Sequence, residues 1–163
     1  LENINDYRII ISKHQSAWET LFFTAVVDKP IFILKRELLL IPIFGWCLFL
    51  LKNISINRAR GSAALNKIMN QCQNQFNMDK TLIIFPEGTR IPYGKKSKIK
   101  KGVLTILRSL RADALMVNHN SGLFWSKSSF LIKPGTINVS LSSLKFSNES
   151  SLLLNKIEKY FNS

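Results

Sequence analysis

The sequence predicts a single α/β domain, a mostly parallel mixed sheet flanked by helices, spanning residues 1–163. Three observations carry this. Short β-branched runs alternate with segments of helical periodicity, the pattern of strands joined by crossover helices. The 163 residues suffice for one hydrophobic core and fall short of two. Hydrophobic residues make up 46% of the chain, including 11 Phe, which calls for a packed interior and excludes a disordered tail.

The elements follow in order. Arg8 to Ser12 is β-branched and ends in polar residues, so it reads as a buried strand delivering Lys13 and His14 to its C-terminal edge. Gln15 to Val27 reads as a helix with Trp18, Leu21, Phe22 and Ala25 on one face. Ile31 to Leu34, after Pro30, is a second strand. Leu38 to Leu51 is helical in pattern but interrupted by Pro42 and Gly45, and its 14 residues fall below the ~20 of a membrane-spanning helix. Ile54 to Asn57 is a third strand and Gly61 to Phe76 a long amphipathic helix with Ala64, Leu65, Ile68 and Met69 on its apolar side. Thr81 to Phe85 is a strand, Lys95 to Lys101 a basic loop and Val103 to Arg111 a helix. Ala114 to Val117 and Ile137 to Leu141 are further strands, and Leu152 to Phe161 a closing helix after a Ser-rich loop. No internal repeat, long linker or Gly-rich phosphate loop is present in the sequence.

Lys and Arg total 23 against 10 Asp and Glu, a formal +13, so polyanionic partners are expected: an anionic membrane surface, phosphorylated substrates or nucleic acid. Nucleic acid is disfavoured, because the aromatics follow apolar periodicity and do not interleave with Lys95 to Lys101 as stacking platforms. Cys47 and Cys72 lack CxxC spacing and only two His are present, so no metal site is expected and both thiols are read as reduced. The chain begins with Leu, which is compatible with an upstream membrane-anchoring segment.

Two segments carry chemistry. In His14-Gln15-Ser16-Ala17-Trp18-Glu19, five residues of helix turn through about 500°, which brings Glu19 round to a His14 just outside the helix start. A carboxylate there would hold the imidazole tautomer and stabilise the imidazolium formed when His14 takes a proton from a hydroxyl. Taken alone, the pair also fits a strand-end histidine beside a solvated glutamate. Phe85-Pro86-Glu87-Gly88-Thr89-Arg90 is more specific: Pro fixes φ, Gly permits a left-handed turn, and Glu and Arg are held at a strand end. In open α/β sheets ligands bind at the C-terminal ends of strands, so both segments face one crevice.

With these two segments in this order, the sequence resembles the 1-acylglycerol-3-phosphate acyltransferase family of glycerolipid acyltransferases, which share a His-x4-Asp box and a Phe-Pro-Glu-Gly-Thr-Arg box. Further segments resemble the family's remaining boxes: Lys35-Arg36-Glu37-Leu38 with Pro42 to Trp46, Ile54 to Arg58, Leu115 to Gly122, and Lys133-Pro134-Gly135-Thr136-Ile137. The resemblance implies that His14 is the general base and Glu19 its orienting acid, one methylene longer than the family's usual Asp. It implies that Arg58 and Arg90 hold the acceptor phosphate, with Lys35 a further candidate, and that Glu87, Gly88 and Thr89 shape the acceptor pocket. Arg suits this role because its planar fork matches phosphate oxygens. Lys35 and Arg36 also fit a solvated surface. Where the fourth box usually has Pro stands Met116, and His119 is read as structural.

The function implied is transfer of a fatty acyl group from acyl carrier protein or acyl-CoA to the 2-hydroxyl of 1-acyl-sn-glycerol 3-phosphate, giving phosphatidate, with no cofactor. The alternatives are another lysophospholipid or acyl acceptor, or a non-catalytic anionic-lipid-binding protein. Phe44, Trp46, Leu48 and Phe49 are expected either in the core or dipping into the headgroup region beside lysines. That implies the cytoplasmic face of the inner membrane, reached peripherally or through an upstream anchor.

Overall fold

The computed structural model describes residues 3–40, 46, 53–56, 61–96, 98–127, 129 and 131–162. Six strands form one sheet: β1 (Ile9–Ser12), β2 (Pro30–Lys35), β3 (Ile54–Ile56), β4 (Thr81–Ile84), β5 (Ala114–His119) and β6 (Val139–Leu144), in the order β3-β2-β4-β1-β5-β6. The first five strands are mutually parallel and β6 closes one edge antiparallel to β5. The helices are α1 (Trp18–Val26), α2 (Gly61–Asn77), α3 (Gly102–Leu110), the single turn α4 (Ser121–Phe124) and α5 (Ser150–Asn162).

Successive strand residues point to opposite faces, and β1 divides its isoleucines accordingly. Ile9 and Ile11 enter a large core with Leu82, Ile84, Ala114 and Met116, covered by Ile68 and Cys72 of α2, Leu104 and Leu107 of α3, and Leu153, Ile157 and Phe161 of α5. Ile10 enters the smaller core on the other face with Phe32, Ile83, Leu115 and Val117, covered by Phe23 of α1 and Val27. All three β1 isoleucines are fully buried, because a parallel strand with helices on both faces has no solvent side. Burying one such side chain stabilises the fold by about 1.5–3 kcal/mol.

Several boundaries differ from expectation. The first helix begins at Trp18, not Gln15, because the backbone N–H groups of Gln15 and Ser16 turn onto the Glu19 carboxylate. Its buried positions are Glu19 and Phe23, whereas Leu21 is 61% exposed and Ala25 is exposed too. The inward stripe passes through a carboxylate, which a count of apolar residues skips. The last strand runs Val139–Leu144 and pairs antiparallel from His119↔Val139, since the chain returns from β5 without crossing the sheet. Arg111 stands beyond α3 in the left-handed conformation, with φ 48°. Of the interrupted run at 38–51, the described part is the end of a 3-10 turn, Arg36–Leu40, and the exposed Trp46; the rest lies outside the described residues. Among the described residues no helix is long and apolar enough to cross a membrane.

The topology decides where the site lies. From β1 the chain crosses to β2 beyond β4, and from β4 it crosses back over β1 to β5. The two crossovers run in opposite directions, and such a switch point leaves a crevice at the C-terminal strand ends. The three strands meeting there, β4, β1 and β5, end next to Glu87, His14 and Ser121.

Candidate active site

His14 follows the end of β1, and its Nδ1 stands 2.9 Å from Glu19 Oε1. Glu19 is completely buried. Burial pushes its carboxyl up, but the hydrogen bond from His14, the electrostatic effect of the His119 and His14 rings and the backbone N–H of Ser16 together outweigh this and hold it below the ordinary carboxylate range. An ionised carboxylate only accepts, so the His14 proton sits on Nδ1 and the lone pair on Nε2. The other side-chain and backbone donors on Glu19 are the N–H of Gln15 (2.7 Å), the N–H of Ser16 (2.9 and 3.1 Å to the two oxygens), Ser16 Oγ (3.0 Å) and Ser121 Oγ (3.2 Å). His14 also stacks on Phe85, centroids 4.2 Å apart and planes 17° apart, so the ring is held by its face and by one edge.

The second segment forms a turn in which the N–H of Gly88 donates to the carbonyl of Phe85 at 3.0 Å. Gly88 has φ 68°, where a Cβ is strained, which is why Gly follows Glu here. Glu87, 2% exposed, does not open into a pocket: its Oε1 accepts the N–H of His14 at 3.3 Å, so it braces the base-bearing loop from beneath. The N–H of Ile91 donates to the carbonyl of His14 at 2.7 Å and ties the two segments a second time. Thr89 is exposed and Arg90 half-buried, and among the described residues Arg90 has no ion pair. Lys35 closes β2 at the same end of the sheet; its side chain and Arg58 lie outside what is described.

Burial pushes the Glu87 carboxyl up to about 7, only partly offset by the N–H of His14 and by Lys13. The folded protein therefore keeps this proton above 4.5, the ordinary value at which the unfolded chain releases it. Between these values the native state binds more protons, so stability falls as pH rises through the window, by on the order of 3 kcal/mol. Glu87→Gln is expected to remove that decline. Urea midpoints of both proteins between about pH 4.5 and 7.5 measure it, and parallel curves would refute it.

Four contributors stand outside the residues expected from the sequence. Lys13 is buried, its Nζ donating to the carbonyl of Phe161 at the end of α5 at 2.7 Å, and burial pulls its pKa down. Ser16 was detectable, because Ser16-Ala17-Trp18-Glu19 has the spacing of a capping box, in which the carboxylate takes the Ser N–H and the hydroxyl takes a helix N–H. Here the N–H of Trp18 donates to Ser16 Oγ at 2.9 Å. Gln15 and Ser121 left no local signal: Gln15 Oε1 accepts the N–H of Gly122 at 3.0 Å across the crevice. A Cβ on Gly122 would stand 3.1 Å from that of Gln15, which accounts for the glycine. His119 is structural as expected: its Nε2–H donates to the carbonyl of Lys13 at 2.9 Å.

A buried carboxylate orienting a part-exposed histidine at the C-terminal strand ends, with an arginine on the adjoining turn, is an arrangement that can activate a hydroxyl near an anion. The comparisons agree in class: the chain belongs to the acyltransferase family, whose model matches residues 1–123. It is 41% identical over 140 residues to the 1-acyl-sn-glycerol-3-phosphate acyltransferase of Pseudomonas aeruginosa, covering 85% of this chain and 54% of that protein. It is 31% identical over 137 residues to the enzyme of the same name from Cocos nucifera, covering 83% and 44%. The chain thus spans about half the length of these relatives. Its fold is similar to the crystal structure of the 1-acyl-sn-glycerophosphate (LPA) acyltransferase PlsC from Thermotoga maritima, with TM-score 0.78 and 28% identity, covering 98% of this chain and 66% of that one.

Proposed function

We propose that the protein transfers a fatty acyl group from the thioester of acyl carrier protein or coenzyme A to the 2-hydroxyl of 1-acyl-sn-glycerol 3-phosphate, giving phosphatidate. The observation that carries this reading is the 2.9 Å contact of His14 Nδ1 with Glu19 Oε1, which leaves Nε2 as a base at the crevice. His14 Nε2 takes the hydroxyl proton as the oxygen attacks the thioester carbonyl. The tetrahedral oxyanion collapses, the C–S bond breaks, and the thiolate recovers the proton from His14. Glu19 steadies the imidazolium in between. Arg90, with Arg58 and Lys35, holds the phosphate, and the Glu87–Thr89 turn sets where that phosphate lies.

A membrane surface as workplace is supported by the exposed apolar side chains Leu123, Leu131 and Ile132, with exposed Lys127 and Lys133 nearby in sequence. Apolar groups and lysines together suit an anionic leaflet, each Lys contributing about 1 kcal/mol near such a surface. The cytoplasmic face of the inner membrane fits this reading.

The test is transfer of labelled acyl chains from each donor onto 1-acylglycerol 3-phosphate in detergent micelles, with monoacylglycerol as the uncharged control. Phosphatidate from either donor supports the reading, and acylation of the neutral acceptor alone rejects it. In the same assay Arg90→Ala is expected to raise KM for the phosphorylated acceptor roughly 10- to 100-fold, the loss of a charge-assisted hydrogen bond of about 1.5–3 kcal/mol. An unchanged KM would remove Arg90 from the phosphate site.

A further inference from the structure

We propose that Ser121 is a positioning residue for this reaction, its hydroxyl clamping Glu19 Oε2 so that Oε1 stays turned toward His14. The inference rests on His14 being the base.

The donors on Glu19 divide unevenly. Oε1 takes His14 Nδ1 and the N–H groups of Gln15 and Ser16, and Oε2 takes the Ser16 N–H, Ser16 Oγ and Ser121 Oγ. Every one of these except Ser121 comes from the loop of residues 14–16 that precedes α1. Ser121 lies 102 positions away and belongs to the turn after β5. Among the described residues it is the donor that reaches the Glu19 carboxylate from outside that loop.

That turn is itself anchored. The N–H of Gly122 donates to Gln15 Oε1 at 3.0 Å. The Nε2–H of His119 donates to the carbonyl of Lys13 at 2.9 Å, and the N–H of Ser121 donates to His119 Nδ1 at 3.4 Å. The N–H of Asn138 donates to Asn120 Oδ1 at 2.8 Å. Proton supply also fits. Ser16 Oγ already accepts the N–H of Trp18, and its own proton can go to Glu19 Oε2. Ser121 then gives its single proton to Oε2, with Ser16 Oγ standing 3.2 Å from its oxygen. Ser121 is completely buried, so it does not meet substrate and acts only through Glu19.

The test is a double-mutant cycle on the protein, read as kcat and KM for both substrates. Ser121→Ala is expected to lower kcat about tenfold with both KM values within twofold, and in a Glu19→Ala background the same change is expected to alter kcat less than twofold. Full activity of Ser121→Ala, or equal fractional losses in both backgrounds, overturns the proposal. Should the alanine variant not fold, Ser121→Cys, a weaker donor of similar volume, takes its place: at least a threefold loss of kcat at constant KM supports the clamp and an unchanged kcat rejects it. His14→Ala is run beside them, since activity surviving that change refutes the base itself and not the clamp.

Discussion

Replacing His14 with alanine is expected to lower kcat by about 10²–10⁴-fold, the range a positioned general base contributes, while leaving the fold intact. Neither carboxylate of the site can take the proton of the acceptor hydroxyl directly, because Glu19 is completely buried and Glu87 is 2% exposed. The structural cost is small for two reasons. Glu19 keeps the donors of Gln15, Ser16 and Ser121 when the imidazole is gone, so no buried charge is stranded. The ring is at the site's rim, its side chain 19% exposed, and what the fold loses is the contact with Phe85. Initial rates at saturating acceptor, beside a thermal melt of each protein, check this. A variant retaining kcat within tenfold would remove His14 from the chemistry.

Glu19→Gln is expected to lower kcat by a similar 10²–10⁴-fold, for a different reason. Every group facing this side chain can donate, and a carboxylate offers acceptors on both oxygens. A Gln offers one acceptor and one NH₂. If the NH₂ faces His14, the imidazole must accept at Nδ1, its proton moves to Nε2, and the base is lost. If it faces the other way, the NH₂ meets the N–H of Ser16 and two hydroxyls that must both reverse. Either arrangement leaves a buried donor unpaired, at about 1–3 kcal/mol of stability. Native carboxylate is favoured as well, since a carboxyl held below its usual range adds stability that is lost as pH falls through its folded pKa. Steady-state kinetics with a urea denaturation curve read both effects. A Gln variant within threefold of the parent kcat would show that neither charge nor tautomer control is needed.

Much of this was legible in the chain. The β-branched runs around Ile9 to Ile11 and Thr81 to Ile84 are buried parallel strands, because only such strands tolerate apolar residues on both faces. The His14–Glu19 contact was expected, but five residues of helical rotation do not make it: the helix starts at Trp18 and the loop before it wraps the carboxylate. The Phe85 to Arg90 turn was equally clear from Pro and Gly. The expected lining role of Glu87 and the inward face of α1 were not readable. A buried Glu and a solvated Glu look alike in a sequence, and only its neighbours distinguish them.

What the sequence determined by itself is therefore local: which runs are strands and helices, which turn is tight, and which residue types are offered at the strand ends. These follow from periodicity, from the fixed φ of Pro and from the open φ of Gly, all properties of neighbouring residues. The tertiary structure alone decided the strand order that brings β4, β1 and β5 side by side, the burial that holds Glu87 up to about 7, the hydrogen bonds that hold Glu19 low against its own burial, and the meeting of Ser121 with Glu19 across 102 positions. Desolvation and hydrogen bonding depend on what surrounds an atom in space, and the atoms that surround these carboxylates arrive from strands far apart in the chain.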